Sequence, residues 1–144
     1  MHIFNIYDQK TGKNQEIMGG DLATFLHEHL EEYGDEKIAI QKAIDYVFQA
    51  GGRIVIAKEE DQIMGAVVIN ATGMSDYIPE NILVYIAIHR DFRGKGIGKS
   101  LMKEALNDLV GDVALHVEAN NPAIHLYTSL GFTNPYLEMR LKRS

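Results

Sequence analysis

The chain reads as an α/β protein built on one mixed β-sheet with helices on both faces, its elements running β-α-α-β-β-β-α-β-α-β. Three observations carry that reading. Short segments with strand character alternate with longer ones that repeat apolar residues at helical spacing. Two β-rich segments, 53–58 and 63–72, flank Glu59-Glu60-Asp61-Gln62 and form a hairpin. An apolar strand at 82–88 then runs through three alternating glycines into an amphipathic helix. That order suits a sheet covered by helices on both sides.

Taken in order, residues 2–7 alternate apolar and polar and form a first strand. Residues 8–20 are turn-like, with Gly12, Asn14, Gly19 and Gly20. Asp21 is a suitable N-cap for a helix carrying Leu22, Phe25, Leu26, His29 and Leu30, which Gly34 closes. Asp35 opens a second helix with Ile40, Ala43, Ile44, Val47 and Phe48 on one face, and Gly51-Gly52 ends it. His27 and His29 are two apart and do not share a face, which speaks against a metal pair there. Beyond the hairpin and an irregular stretch at 73–79 comes the strand at 82–88. The next helix runs from Ile97 to Leu109, a strand follows at 113–119, and Asn120-Asn121-Pro122 starts a short helix that Gly131 stops. Residues 136–142 are predicted as the last strand. With no repeat, linker or low-complexity stretch, residues 1–144 are expected to form one domain.

Composition excludes several functions. A net charge of −6 and a pI near 5.4 disfavour sequence-independent nucleic-acid binding, which relies on basic surface. The longest apolar run, 82–88, is too short to cross a bilayer, and Met1-His2-Ile3-Phe4-Asn5-Ile6 lacks the basic start of a secretory signal. With no cysteine there is no disulfide, no thiol nucleophile and no thiolate metal site, a composition compatible with the cytoplasm, the expected location.

The chemistry concentrates at 82–109. The apolar strand ends in His89-Arg90-Asp91, followed by Arg93, Gly94, Gly96 and Gly98 and then the helix. A strand, a glycine turn and a helix N-terminus direct unpaired N–H groups and the positive end of a helix dipole to one point. Glycines let a bulky anion approach that backbone. The predicted site is a phosphate or pyrophosphate cradle. It is no P-loop, because Arg93 stands where that motif needs its first glycine, and no dinucleotide fingerprint, because Lys99 and Leu101 stand where a third glycine would have to be.

What fits is Arg-x-x-Gly-x-Gly at Arg93, Gly96 and Gly98, which closely resembles the acyl-CoA pyrophosphate loop of the GNAT superfamily of N-acyltransferases. A second motif, Asn120-x-x-Ala123 with Tyr127 and Gly131-Phe132, resembles that superfamily's segment after its fifth strand, and the element order resembles its fold from end to end. The resemblance implies a GNAT fold splayed between the fourth and fifth strands, acetyl-CoA as co-substrate and no metal. It implies that Arg93, Gly94, Lys95, Gly96, Ile97 and Gly98 bind the pyrophosphate, with further contacts from Lys99 and Ser100. Ile86, Ala87 and Ile88 would offer strand backbone to the pantetheine arm, an N–H near Ile86 would stabilise the developing oxyanion, and Asn120 would bond the cofactor. Tyr127 is the implied general acid toward the CoA thiolate. Its place on an apolar helical stripe would otherwise read as core.

Less is specified for the base. Glu80 before the fourth strand, Asp76 in the loop and Glu118 on the fifth strand are the carboxylates considered, with Glu118 and Glu80 ranked first. Glu118 shares strand parity with His116 and Asn120. Tyr85, alternating with Val84 and Ile86, faces either the acceptor cleft or the core. The acceptor is expected to be a primary amine of a small molecule or peptide. Crowding of Glu28, Glu31, Glu32, Asp35 and Glu36 would suit a cationic one. No membrane partner is expected, and a homodimer, common among relatives, is compatible with the resemblance. A rival reading is a catalytically silent acyl-CoA sensor, against which the retained Tyr127 weighs.

Overall fold

The computed structural model describes residues 3–143. Its elements are β1 (Ile3–Tyr7), α1 (Gln15–Met18), α2 (Asp21–Leu30), α3 (Lys37–Gln49), β2 (Gly52–Glu59), β3 (Gln62–Ala71), β4 (Asn81–Ile88), α4 (Ile97–Leu106), β5 (Val113–Leu115) and α5 (Ala123–Ser129). Single 3-10 turns follow α2 (Glu31–Tyr33) and β4 (Arg90–Phe92). The strands form one mixed sheet in the order β1-β2-β3-β4-β5, antiparallel except for the parallel pair β4–β5.

Alternation in β2 and β3 sends side chains to two separate cores. Ile54, Ile56, Ala66 and Val68 meet α1, α2 and α3 through Ile17, Leu22, Leu26, Ile40, Ile44 and Val47. Val55, Ala57, Met64, Val67 and Ile69 meet Ile97, Leu101, Met102 and Ala105 of α4 on the other face. A sheet covered on both faces needs the near-continuous apolar runs seen in these strands.

Alternation breaks in β3, where Met64 is an extra residue between the partners of Lys58 and Ala57, and again in β4, and the site depends on the second break. Ile69 pairs with Leu83 but Val68 pairs with Tyr85, so Val84 is an extra residue, a β-bulge. Val84 and Tyr85 therefore both pack on the α2–α3 side, while Leu83, Ile86 and Ile88 pack on the α4 side. Simple alternation, which would separate Val84 from Tyr85, fails here. Parallel pairing with β5 covers only Asn81, Ile82 and Leu83 and stops immediately before the bulge. At its start the pair is pinned: the buried Asn81 side chain donates to the Val110 and Asp112 carbonyls at 2.9 and 3.2 Å, and Glu80 accepts from the Asp112 amide at 3.0 Å. The two strands are fastened at one end and part at the other.

Several expected boundaries shift. Residues 15–18 form a helical turn where turn character was expected, because Asn14 caps the Ile17 amide and Ile17 is buried, a signal too short for periodicity. Gly20, with φ +84°, is the N-cap of α2, and Asp21 is its first residue. α3 begins at Lys37, since the Asp35 carboxylate is engaged elsewhere, and α4 ends at Leu106. The strand expected at 113–119 stops at Leu115, so the parity argument aligning His116, Glu118 and Asn120 lapses. The last strand expected at 136–142 is not formed: those residues are exposed and belong to no element. His2, at which the predicted first strand opens, lies outside the described residues.

Candidate active site

The turn after β4 becomes a cradle through its glycines. Gly94 and Gly96 have φ of +76° and +80°, a region L-residues enter only with strain, and a Cβ on either would meet no atom within 4 Å. The space above the bend is open. α4 starts at Ile97 with Gly96 as N-cap, and its first intrahelical bond to the loop runs from the Ser100 amide to the Gly96 carbonyl. Among the described residues the amides of Gly96, Ile97, Gly98 and Lys99 donate to no other group, as a helix start requires. Gly98 allows close packing, since a Cβ there would lie 3.4 Å from Leu126 of α5. Lys99 and Ser100 stand exposed in the first helical turn, and the Lys95 ammonium lies 5.5 Å from the Phe92 ring centre.

A cavity of about 400 Å³ opens beside this bend, lined by Ile88, Arg93, Gly94, Gly96 to Lys99, and Pro122, Ala123 and Leu126 of the α5 region. The two sequence motifs, separated by one helix and one strand in the chain, thus wall one space. β4 beyond Leu83 has no strand on its outer edge among the described residues, so Ile86, Ala87 and Ile88 border the gap. An extended ligand could pair there as a strand does.

Arg93 lies at the bend, but its guanidinium turns away from it. Nε donates to the Ile88 carbonyl at 3.0 Å, one terminal nitrogen to the His29 carbonyl at 2.8 Å, and the other to Glu31 at 3.0 Å. Arg93 therefore bolts the C-terminal end of α2 to the cradle. His29, buried, completes the joint. Its ring stacks on His89 at 4.2 Å and Phe25 at 4.7 Å, and its Nδ1 meets the Arg90 amide at 3.4 Å. Burial, then the neighbouring His89, lowers the His29 pKa. None of these long-range partners has a local sequence signal.

Tyr127 is 8% exposed, with its ring 5.8 Å from Phe132. Its phenol is pushed up to about 12 by burial alone. The hydroxyl has no hydrogen-bond partner among the described residues, yet it is not one of the fully enclosed unsatisfied atoms. A protonated, unengaged phenol with some solvent access can give its proton to a ligand. The Asn121 side chain, rather than that of Asn120, caps α5 by accepting from the Ala123 amide at 2.9 Å. Asn120 is exposed, and its carbonyl accepts from the Tyr33 hydroxyl at 3.2 Å.

The candidate carboxylates separate in space. Glu80 is at the pinned start of β4, about 20 Å of strand from Ile86. Its bond to Asp112 is structural, and it is not brought to the gap. Glu118 is exposed on the segment after β5, where it and Glu32 help raise the Tyr33 phenol behind a larger effect of burial. Asp76 is an exposed loop residue with φ +66°. Asp35 accepts from the Tyr85 hydroxyl at 2.6 Å, and burial followed by this contact raises the Tyr85 pKa. That pair, just beyond the bulge, is what sequence reasoning passed over. Tyr85 belongs to the α2–α3 side, where an acceptor could meet the gap.

A sequence model of the acetyltransferase (GNAT) domain matches residues 50–134, from the end of α3 through α5. A comparison with curated protein sequences finds no significant match. Solved structures share the fold at low identity. A GNAT-family acetyltransferase from Streptococcus pneumoniae TIGR4 is 20% identical over 100% of both chains, with a TM-score of 0.70. The aminoglycoside N-acetyltransferase AAC(6')-Iy in complex with CoA is 17% identical, over 99% of this chain and 95% of that one, with a TM-score of 0.69. A ribosomal-protein-alanine N-acetyltransferase from Brucella melitensis biovar Abortus 2308 is 14% identical over 99% of each, with a TM-score of 0.67. With more than half of the chain matched by the domain model and both motifs facing one cavity, this chain belongs to the GNAT family of acetyltransferases.

Proposed function

We propose that residues 1–144 form one GNAT domain that transfers an acetyl group from acetyl-CoA directly to an amine, without an acyl-enzyme. The observation that carries this reading is the cavity shared by the glycine bend and α5; Tyr127, whose hydroxyl has no partner among the described residues, is not one of its lining residues but follows lining Leu126 in the chain. The co-substrate would supply a thioester-activated acyl group. The residues fit it: four free amides at a helix start suit a diphosphate, and the open β4 edge suits an extended arm.

In the transfer an amine nitrogen bonds the acyl carbon as the carbon–sulfur bond breaks; the nitrogen loses its proton to a base, and the sulfur leaves as a thiolate that takes a proton from solvent. An N–H of the β4 edge near Ile86 would stabilise the charge developing on the acyl oxygen. Tyr127 keeps its proton at neutral pH and would share it with the departing sulfur. Against a thiol pKa of about 8.5, a phenol near 12 stabilises the thiolate chiefly by donating a hydrogen bond. Glu118 and Asp35 would receive the amine's proton, directly or through water; both are exposed, and Asp35 also accepts from Tyr85. Glu32, Asp35, Glu36 and Glu118 are all exposed and favour a cationic acceptor. Two relatives in fold act on aminoglycosides and on a ribosomal protein, so small molecules and protein amines are both within the class tested.

The test is a panel of amines offered with acetyl-CoA, read as free CoA released and acetylated product by mass. At least one amine is expected to be turned over, with Tyr127→Phe lowering kcat on the order of 10²-fold. CoA binding that survives with no amine ever acetylated would leave a sensor and remove the enzyme. No binding at millimolar acetyl-CoA would remove both.

A further inference from the structure

Four aromatic rings run in one file from α2 to the wall of the ligand cavity. Phe25 meets His29 with ring centres 4.7 Å apart, His29 meets His89 at 4.2 Å, and His89 meets Phe92 edge-on at 5.6 Å. Phe92 lines the cavity; the two histidines do not. Neither histidine takes part in the proposed transfer, yet both titrate near neutral pH when free in water.

What these rings hold is main chain. The 3-10 turn Arg90–Phe92 joins β4 to the glycine bend. Two amides at its ends have main-chain partners: that of His89 donates to the Met64 carbonyl at 2.7 Å, and that of Phe92 to the His89 carbonyl at 2.9 Å. The two amides between them donate to imidazoles, Arg90 to His29 Nδ1 at 3.4 Å and Asp91 to His89 Nδ1 at 3.1 Å. A ring nitrogen that accepts carries no proton, so these bonds assign both histidines as neutral, with the proton on Nε2. The His29 contact is the one that crosses between elements, from α2 to the turn.

We propose that His29 is a positioning residue for the phosphate-binding bend, its Nδ1 fixing the turn that leads into Gly94, and that protonating it releases the turn and weakens acyl-CoA binding in mild acid. The inference rests on the bend as the diphosphate site.

The chemistry is the conversion of an acceptor into a donor. A proton arriving at Nδ1 leaves the imidazolium with two N–H groups, one of them facing an amide that can only donate. The bond is lost, and the Arg90 amide is left without its partner. The surroundings act in the same direction. His29 is 5% exposed, and His89, Arg90 and Arg93 beside it all oppose a charge there, while Glu28, 3.9 Å from Nε2, favours one. Glu31 is taken up by Arg93, and Asp91 lies toward His89, 3.9 Å from its Nδ1. Burial, then His89, lowers the His29 pKa, so the seated ring stays neutral where one released into water would titrate near about 6.5. The contribution of His29 to CoA affinity is therefore complete above about 6.5 and lost as pH falls below it. An added positive charge would also attract a diphosphate, but both rings lie off the cavity wall, whereas the amides they hold belong to the turn that runs straight into the bend.

Calorimetry with acetyl-CoA on the full chain, from about pH 7.5 to about pH 5, tests this with three proteins. These are the wild type, His29→Phe, which keeps the ring file and loses the acceptor, and His29→Asn, whose amide oxygen can accept without titrating. Circular dichroism at each pH confirms that each is folded. The terminal phosphate of CoA titrates near about pH 6 in all three, so the comparison is between proteins. At about pH 7.5 the wild type is expected to bind roughly fivefold more tightly than His29→Phe, one hydrogen bond's worth, and to lose that lead by about pH 5. His29→Asn is expected to keep its lead over His29→Phe throughout; if it does not fold, the first comparison decides alone. No wild-type binding at millimolar acetyl-CoA removes the diphosphate site and this inference with it. Binding in which the wild type and His29→Phe share one pH profile, or in which the wild-type lead grows in acid, leaves the site standing and overturns the inference alone.

Discussion

Arg93 separates two accounts of the same motif. As a phosphate ligand its charge would matter chiefly when CoA is bound; as the structure places it, its three bonds join β4, α2 and Glu31 in the free protein. Two bonds to main-chain carbonyls contribute about 1 kcal/mol each. The ion pair, with side chains 44 and 45% exposed, contributes about 0–1 kcal/mol. Arg93→Ala should therefore cost about 2–3 kcal/mol, or roughly 5–10 °C in Tm for a domain of this size. Arg93→Lys should recover less than half, because one ammonium cannot span three acceptors set apart for a fork. Glu31→Gln, which loses only the exposed pair, should cost under about 1 kcal/mol. Circular-dichroism melts give the stabilities, and calorimetry with CoA at several salt concentrations gives the binding. Arg93→Ala should weaken CoA binding while leaving its salt dependence close to that of the wild type, since no phosphate contact is removed. An unchanged Tm with a flattened salt dependence would refute the clamp and return Arg93 to the diphosphate.

Three further outcomes follow from the site. Gly96→Ala places a Cβ in open space, so folding should lose only the about 1–2 kcal/mol of a left-handed alanine, while CoA affinity falls far more than stability does; equal losses would show that the bend is not a ligand surface. The Tyr127 phenol is raised in the folded state, so its contribution to stability is complete below the unfolded value of about 10 and is lost as pH rises toward about 12. Melts should lose about 3 kcal/mol over that window from this group, and Tyr127→Phe should flatten that part of the curve. His29 is lowered, so its contribution is present above about 6.5 and lost as pH falls below it. His89, Glu28, Arg90 and Arg93 are the charged or titratable groups around it, and a His29→Phe variant, which keeps the ring stack, should show a shallower acid limb in melts between about pH 6.5 and 5.

Most of the architecture was legible because it is written in local periodicity. The hairpin, the two helices after β1 and the glycine bend all appear where apolar spacing and glycines put them. What escaped was set by partners distant in the chain. The strand at 113–119 looked complete from alternation, but a strand needs a neighbour, and β4 leaves β5 at Leu115. The same holds for 136–142. In the site, the glycine turn carries its own signal, whereas the adjacency of Glu80 to a strand says nothing about which end of that strand holds the gap, and Glu80 accepts from the Asp112 amide at the paired end. Tyr85–Asp35 and His29–Arg93 join residues 50 and 64 positions apart, and no spacing announces such pairs.

Val84 has a consequence that reaches past its own contacts. Removing that one residue would restore simple two-fold phasing along β4, leave Tyr85 opposite Val68 on the α2–α3 side, and take away the extra residue that directly follows the last position paired with β5. Deleting Val84 is therefore expected to lower CoA affinity, read by calorimetry, more than it lowers helix content, read by circular dichroism.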